Sequence, residues 1–239
     1  MKIEIIKCLQ DNYSYLVIDE TNQNACVIDP SEAEPVIDFI EKNKINLRYI
    51  LNTHHHYDHV GGNFELKEKY NSSVVGFRGD KNRIPEIDIL VEDNQIWKQD
   101  NFEAQIFHIP GHTTGHIAFH FFKEKKIFTG DTLFSLGCGK IFEGTCNQMY
   151  ESLSKFKTLP LETKIYCGHE YTLQNSKFCI KHDPLNKNLI NKILEIKKKK
   201  DSDVPTIPST IEDELNCNIF LRANDVKSFT KLRYLKDNF

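Results

Sequence analysis

Short apolar runs and longer stretches with helical spacing alternate along the first two thirds of the chain. Residues 3–7, 13–18 and 25–28 are rich in β-branched and aromatic side chains and read as strands. The third of these ends at Asp29-Pro30, a break signal. Residues 31–43 read as a helix: Ser31 stands where a cap would, and Val36, Ile37 and Ile40 fall on one face. A short apolar strand at 48–52 runs into Thr53-His54-His55-His56-Tyr57-Asp58-His59, and residues 63–70 read as helix after Gly61-Gly62. The middle is strand-rich, with candidates at 73–76, 88–90, 95–97, 102–108, 117–122 and 126–129. A helix at 149–158 and a strand at 164–167 follow. From Leu173 onward helical stretches dominate, broken by a proline-containing linker at 204–209. The pattern predicts a layered α/β core over 1–172 and a helical domain over 173–239.

Composition narrows the classes. In 239 residues, 39% are hydrophobic and 27% charged, which fits a packed globular protein rather than a disordered one. A net charge of −3 offers no global basic field for nucleic acid or an anionic membrane. No segment approaches the length of an apolar membrane span, and residues 1–10 do not resemble a secretory signal. The seven cysteines form no C-x-x-C pair and no disulfide framework, so reduced thiols in the cytoplasm are expected. The run 197–200 of lysines reads as a solvated face.

The candidate chemistry is concentrated in four places. In His54-x-His56-x-Asp58-His59, residues two apart on an extended segment point the same way, so His54 and His56 can converge on one ion. Asp58 and His59 lie on the turn beyond and can face a second point. His112 in Pro110-Gly111-His112, Asp131 in Gly130-Asp131 and His169 in Gly168-His169-Glu170 each follow a glycine at a strand end. Imidazole and carboxylate suit zinc, and also iron or manganese. Five His and two Asp, with one carboxylate shared, would serve two metals and leave positions for water. His55, His108, His116, His120 and His182 read as surface or packing residues. His116 is a candidate to support a ligand, as are Thr53 and Asp29.

The order T-H-x-H-x-D-H, P-G-H-T-x-G-H, G-D-T-L-F and G-H-E-Y resembles the metallo-β-lactamase superfamily across residues 53–171. The resemblance implies an αββα sandwich in the catalytic domain. It implies one metal held by His54, His56 and His112 and a second by Asp58, His59 and His169, with Asp131 bridging. Asp58 and Asp131 would be the catalytic carboxylates.

Further segments are similar to glyoxalase II, the hydroxyacylglutathione hydrolases. They are Asp11-Asn12-Tyr13-Ser14-Tyr15-Leu16-Val17, the loop Gly137-Cys138-Gly139-Lys140-Ile141-Phe142-Glu143-Gly144, Pro205-Thr206-Ile207-Pro208-Ser209-Thr210 and the terminal Arg233-x-x-Lys236-Asp237-x-Phe239. This resemblance implies a monomeric enzyme that cleaves S-(2-hydroxyacyl)glutathione, such as S-D-lactoylglutathione, by attack of metal-generated hydroxide, within methylglyoxal detoxification. Lys140, Phe142, His169, Tyr171, Arg233 and Lys236 would line the substrate, with Arg233 and Lys236 on one helix face holding glutathione carboxylates. Changes at these two positions would mainly raise KM. Phe142 stands where the family often has Tyr, and the tail before Arg233 is short. The alternatives are a glutathione persulfide dioxygenase or another hydrolase of this fold. A nuclease would want a broad basic surface, and a structural metal module would want a closed, cysteine-rich site.

Overall fold

The computed structural model describes Met1–Phe239. The chain packs as two compact units, one of residues 1–108 with 115–124, the other of 109–114 with 125–239.

The first unit is built on a sheet of six strands in sequence order: β1 (Lys2–Cys8), β2 (Asn12–Ile18), β3 (Asn24–Ile28), β4 (Asn46–Leu51), β5 (Ser73–Phe77) and β6 (Ile87–Val91). The pairs β1–β2 and β2–β3 are antiparallel, whereas β3 to β6 are parallel. Parallel strands need crossovers, and these carry α1 (Glu34–Asn43), α2 (Tyr57–Val60) and α3 (Asn63–Tyr70). The expected face of α1, Val36, Ile37 and Ile40, is buried against Leu16, Val27, Leu47 and Ile50. Each fully buried aliphatic side chain there stabilises the fold by about 2 kcal/mol.

Helix α1 starts later than Ser31, at Glu34 after Ala33, with Pro35 in its first turn. The Ser31 amide instead donates to Ser14 Oγ and the Glu32 carboxylate accepts from Leu9 N, so this stretch is tied to the sheet before the helix begins. The same unit holds an antiparallel trio, β7 (Ile96–Gln99), β8 (Phe102–His108) and β9 (Ile117–Phe121). Tyr49 of β4 meets Trp97 and Phe102 edge-on, at 5.4 and 6.2 Å between ring centroids.

In the second unit β10 (Lys126–Gly130) pairs in parallel with β13 (Lys164–Cys167), which pairs antiparallel with β14 (Ser209–Thr210). A small hairpin joins β11 (Leu133–Phe134) to β12 (Gly137–Cys138). The helices are α4 (Cys146–Phe156), α5 (Thr172–His182), α6 (Lys187–Asp201), α7 (Ile211–Cys217) and α8 (Val226–Asp237). Helix α4 begins three residues before the expected start, because Thr145 and Gln148 form a capping box. No helix is long and apolar enough to cross a membrane.

The hairpin rests on a buried polar network. Glu214 of α7 is inaccessible to solvent, and its Oε2 accepts from Leu136 N at 2.8 Å and Asn218 Nδ2 at 2.9 Å. Burial pushes the Glu214 carboxyl up from the ordinary 4.5 to about 7, against the lowering effect of those hydrogen bonds. The folded protein thus keeps a proton that the unfolded chain releases near pH 4.5. The associated stability, about 3 kcal/mol, is full below that pH and is lost as pH rises through 7. Glu214→Gln keeps the shape and removes the titration. Its unfolding midpoint should therefore fall less than wild type between pH 5 and pH 8; an unchanged fall would assign the pH dependence to another group.

Candidate metal centre and substrate rim

In both units the candidate ligands sit at the carboxyl ends of parallel strands, where α/β sheets place their sites. In the first unit, β3 ends one residue before Asp29, and β4 ends just before Asn52 and the Thr53–His59 segment. In the second, β10 ends at Gly130, directly before Asp131, and β13 ends two residues before His169. Gly130 has φ +47°, a left-handed conformation that glycine adopts without steric cost as the chain turns Asp131 out of the strand.

The first unit holds His54, His56, Asp58 and His59. Asp29 organises them: its carboxylate accepts from Thr53 N at 2.7 Å and Thr53 Oγ1 at 2.6 Å, and pairs with His59 Nδ1 at 3.0 Å. The Thr53 hydroxyl, having donated to Asp29, can accept from His54 Nδ1 at 3.1 Å. These partners place the protons on Nδ1 of His54 and His59, which makes each Nε2 the lone-pair atom. His54 Nε2 lies 3.1 Å from His56 Nδ1. Ligand-type atoms of Asp29, His54 and His59 lie within 4.8 Å of one another. Asn12 Nδ2 donates at 3.0 Å to both the carboxylate and the carbonyl of Asp58. His116 supports His54 by stacking, at 4.5 Å and 18°. His55 pairs with Asp80 at 3.3 Å, and Asp80 also accepts from Arg83.

The second unit holds His112, Asp131 and His169. Asp131 Oδ2 lies 3.6 Å from His112 Nε2 and 3.3 Å from His169 Nε2. His112 Nδ1 donates to the Lys140 carbonyl at 2.7 Å, which again leaves Nε2 as the lone-pair atom. Gly139 packs so tightly that a Cβ would stand 1.9 Å from the Asp131 carbonyl oxygen. This donor set fits hydrolytic metals: histidine rings oriented through one nitrogen by a carboxylate or carbonyl, beside buried carboxylate oxygen and with no cysteine among them.

The residues expected to meet substrate have separate fates. Phe142 and Tyr171 are exposed; Phe142 meets His112 edge-on at 5.2 Å, and Tyr171 stacks on His169 at 4.7 Å and 7°. Lys140 Nζ lies 5.5 Å from the Phe142 ring. Lys236 Nζ lies over Phe178 at 5.3 Å and Phe239 at 5.4 Å; desolvation and then Arg233 lower its pKa. Arg233 is only 6% exposed. Its guanidinium donates to Cys138 O at 2.8 Å and pairs with Asp237 at 2.8 Å. In the sequence Asp29 and Thr53 stand out only as candidate supports, and Asn12 and Asp80 carry no signal of their own. Each acts across a long sequence gap, which local spacing does not display.

The remaining titratable groups read as packing. Burial lowers the His120 pKa to about 4, and His108 stacks on Phe77 at 4.5 Å. Burial pushes the Cys167 thiol up to about 12 and raises that of Cys138, so neither offers a thiolate nucleophile near neutral pH.

Comparison with known proteins accords with this construction. Residues 10–169 match the metallo-beta-lactamase superfamily. A Myxococcus xanthus structure, ETHE1, shares the fold at a TM-score of 0.75 and 24% identity, over 98% of this chain and 90% of that one. Residues 170–239 match the hydroxyacylglutathione hydrolase C-terminus. A hydroxyacylglutathione hydrolase of Pelagibacter ubique is 68% identical over the full length of both chains. That of Rhodospirillum rubrum is 42% identical, over 100% of this chain and 99% of its own. The chain belongs to the metallo-β-lactamase superfamily and, within it, to the hydroxyacylglutathione hydrolase family.

Proposed function

We propose that the protein hydrolyses S-(2-hydroxyacyl)glutathione thioesters, S-D-lactoylglutathione foremost, to glutathione and the 2-hydroxy acid. The observation that carries this reading is full-length identity of 68% to a hydroxyacylglutathione hydrolase, joined to a family-specific C-terminal region. Two zinc ions are the proposed cofactors; iron or manganese would also suit the donors. His54, His56 and His112 would hold one ion, Asp58, His59 and His169 the other, and Asp131 would serve both. When bound, the ions supply an acidified water and charge stabilisation for the thioester oxygen as it becomes anionic.

The chain's own residues do the rest. Asp29 and the Lys140 carbonyl keep the histidines in the ligating tautomer. Phe142 and Tyr171 offer apolar faces for the acyl and cysteinyl portions, while Lys140 and Lys236 offer charge for the glutathione carboxylates. The leaving thiolate needs little protonation, and the raised Cys138 and Cys167 thiols leave no role for a cysteine nucleophile. Residues 1–172 would thus carry the chemistry and 173–239 the grip on substrate. Seven free cysteines suit a reducing cytoplasm, and the enzyme is proposed to act there as a monomer in methylglyoxal detoxification.

Hydrolysis of S-D-lactoylglutathione, followed by loss of thioester absorbance with metal content measured on the same sample, tests the reading. Turnover lost on chelation, with about two ions per chain, is expected. A fully loaded protein without hydrolysis would overturn the substrate, and oxygen consumption with glutathione persulfide would then identify the dioxygenase. Lys236→Ala should raise KM roughly 3–10-fold, the cost of one partly screened charged contact, with kcat unchanged. A loss confined to kcat would contradict that role.

A further inference from the structure

The segment between Asp131 and Lys140 is held largely by side chains from the last 70 residues, with Thr129 Oγ1 donating to Leu133 O at 2.7 Å from outside them. Asn218 Nδ2 donates to the carbonyls of Phe134 at 3.4 Å and Gly137 at 3.0 Å. Asn175 Nδ2 donates to Ser135 O at 3.1 Å, and Cys179 Sγ to Leu136 O at 3.1 Å. Leu136 has φ +58°, a left-handed conformation unfavourable for a branched side chain, and its amide is bound by Glu214. Arg233 completes the row: Nη1 donates to Cys138 O at 2.8 Å and approaches Gly139 O at 3.4 Å. The other side of the guanidinium is fixed by Asp237, with Nε at 3.0 Å and Nη2 at 2.8 Å from Oδ1.

The held backbone touches two of the metal donors. Lys140 O accepts from His112 Nδ1. Gly139 N donates to Thr132 O at 3.2 Å, and the Gly139 backbone lies against the carbonyl of Asp131. A shift of the peptides at 138–140 would therefore turn the His112 ring and move Asp131 together. We infer that Arg233 is a positioning residue for His112 and Asp131, acting through the 138–140 backbone, so that metal affinity depends on the C-terminal helix. The inference rests on the metal-centre reading above. The task is distinct from the substrate contact expected of Arg233, and it rests on the buried guanidinium's two commitments, to Cys138 O and to Asp237.

The test is zinc affinity of the full-length protein, measured by chelator competition, alongside thermal unfolding of the metal-free form. Arg233→Ala should weaken zinc binding about 10–100-fold, the usual cost of losing support behind a ligand. Arg233→Lys should recover part of this, because an ammonium can reach Cys138 O but cannot also present a fork to Asp237. Asp237→Asn should fall between wild type and Arg233→Ala. A merely structural role would lower the unfolding midpoint and leave the zinc affinity of the folded protein unchanged. Wild-type affinity in Arg233→Ala with a raised KM would overturn the inference and return the guanidinium to the substrate. If Arg233→Ala does not fold, wild-type affinity in both Arg233→Lys and Asp237→Asn overturns it equally. Failure of the wild-type protein to bind zinc would overturn the metal-centre reading itself, whereas zinc-binding wild type with unaffected variants sinks this inference alone.

Discussion

Asp131→Ala is expected to lower kcat/KM by on the order of 10²–10⁴ and to strip the protein of bound metal. Asp131 is 7% exposed, and one carboxylate oxygen faces the Nε2 atoms of both His112 and His169. Charge stabilisation by metal ions is worth several kcal/mol in the transition state, and each 1.36 kcal/mol is tenfold in rate. The carboxylate is also the negative charge that two neighbouring cations would most require. Steady-state kinetics and metal per chain, measured on the same preparation, check the expectation. Near-normal turnover at normal metal content would show that two-ion chemistry does not run through this residue. Asp131→Asn, which keeps the shape without the charge, should retain folding but not turnover.

Asp29→Ala should be the most destabilising single change near the site. It would leave Thr53 N, Thr53 Oγ1 and His59 Nδ1, all now bonded to one buried carboxylate, without that acceptor. Each orphaned buried donor costs about 1–3 kcal/mol. Asp29 also adopts φ +49°, which alanine tolerates less well than an Asx residue. The sum, roughly 3–9 kcal/mol, is a large fraction of the stability of an ordinary domain and corresponds to about 10 °C or more in the unfolding midpoint. Zinc affinity should fall about 10–100-fold in addition, because His59 loses the partner that sets its tautomer. Asp29→Asn keeps an acceptor and suits the left-handed backbone, so it should recover part of the stability. Thermal unfolding of the metal-free protein decides the point: a loss under about 1 kcal/mol, below the cost of even one orphaned donor, would mean that water replaces the carboxylate.

The donor residues were legible in the sequence because strand geometry and adjacent glycines act locally. His54 and His56 are two apart, and Asp131 and His169 each follow a glycine at the end of an apolar run. The residues behind them were not legible for the opposite reason. Asp29 reaches Thr53 and His59 across the whole α1 crossover and strand β4, and Asn12 reaches Asp58 across 46 residues. Nothing in spacing alone encodes that. The hairpin β11–β12 escaped as well, since two-residue strands have no periodicity to read. The start of α4 could have been read from Thr145-x-x-Gln148, a capping box the apolar pattern obscured. Arg233 shows a different gap. The sequence places Arg233 on a rim-facing helix face with Lys236, and only tertiary packing shows its guanidinium turned inward beneath Phe220, 5.2 Å from that ring's centre.

The cysteines carry a consequence for chemical durability. Burial raises the pKa of six of the seven thiols, those of Cys8, Cys26, Cys138, Cys167, Cys179 and Cys217, and takes Cys167 and Cys179 to about 12. At pH 7 a thiol of that kind is ionised in roughly one molecule in 10⁵. Aldehydes and other electrophiles react with the thiolate, so these side chains present almost nothing to alkylate. Where reactive carbonyl compounds accumulate, this packing would spare these six cysteines the covalent modification that such compounds inflict on exposed thiols.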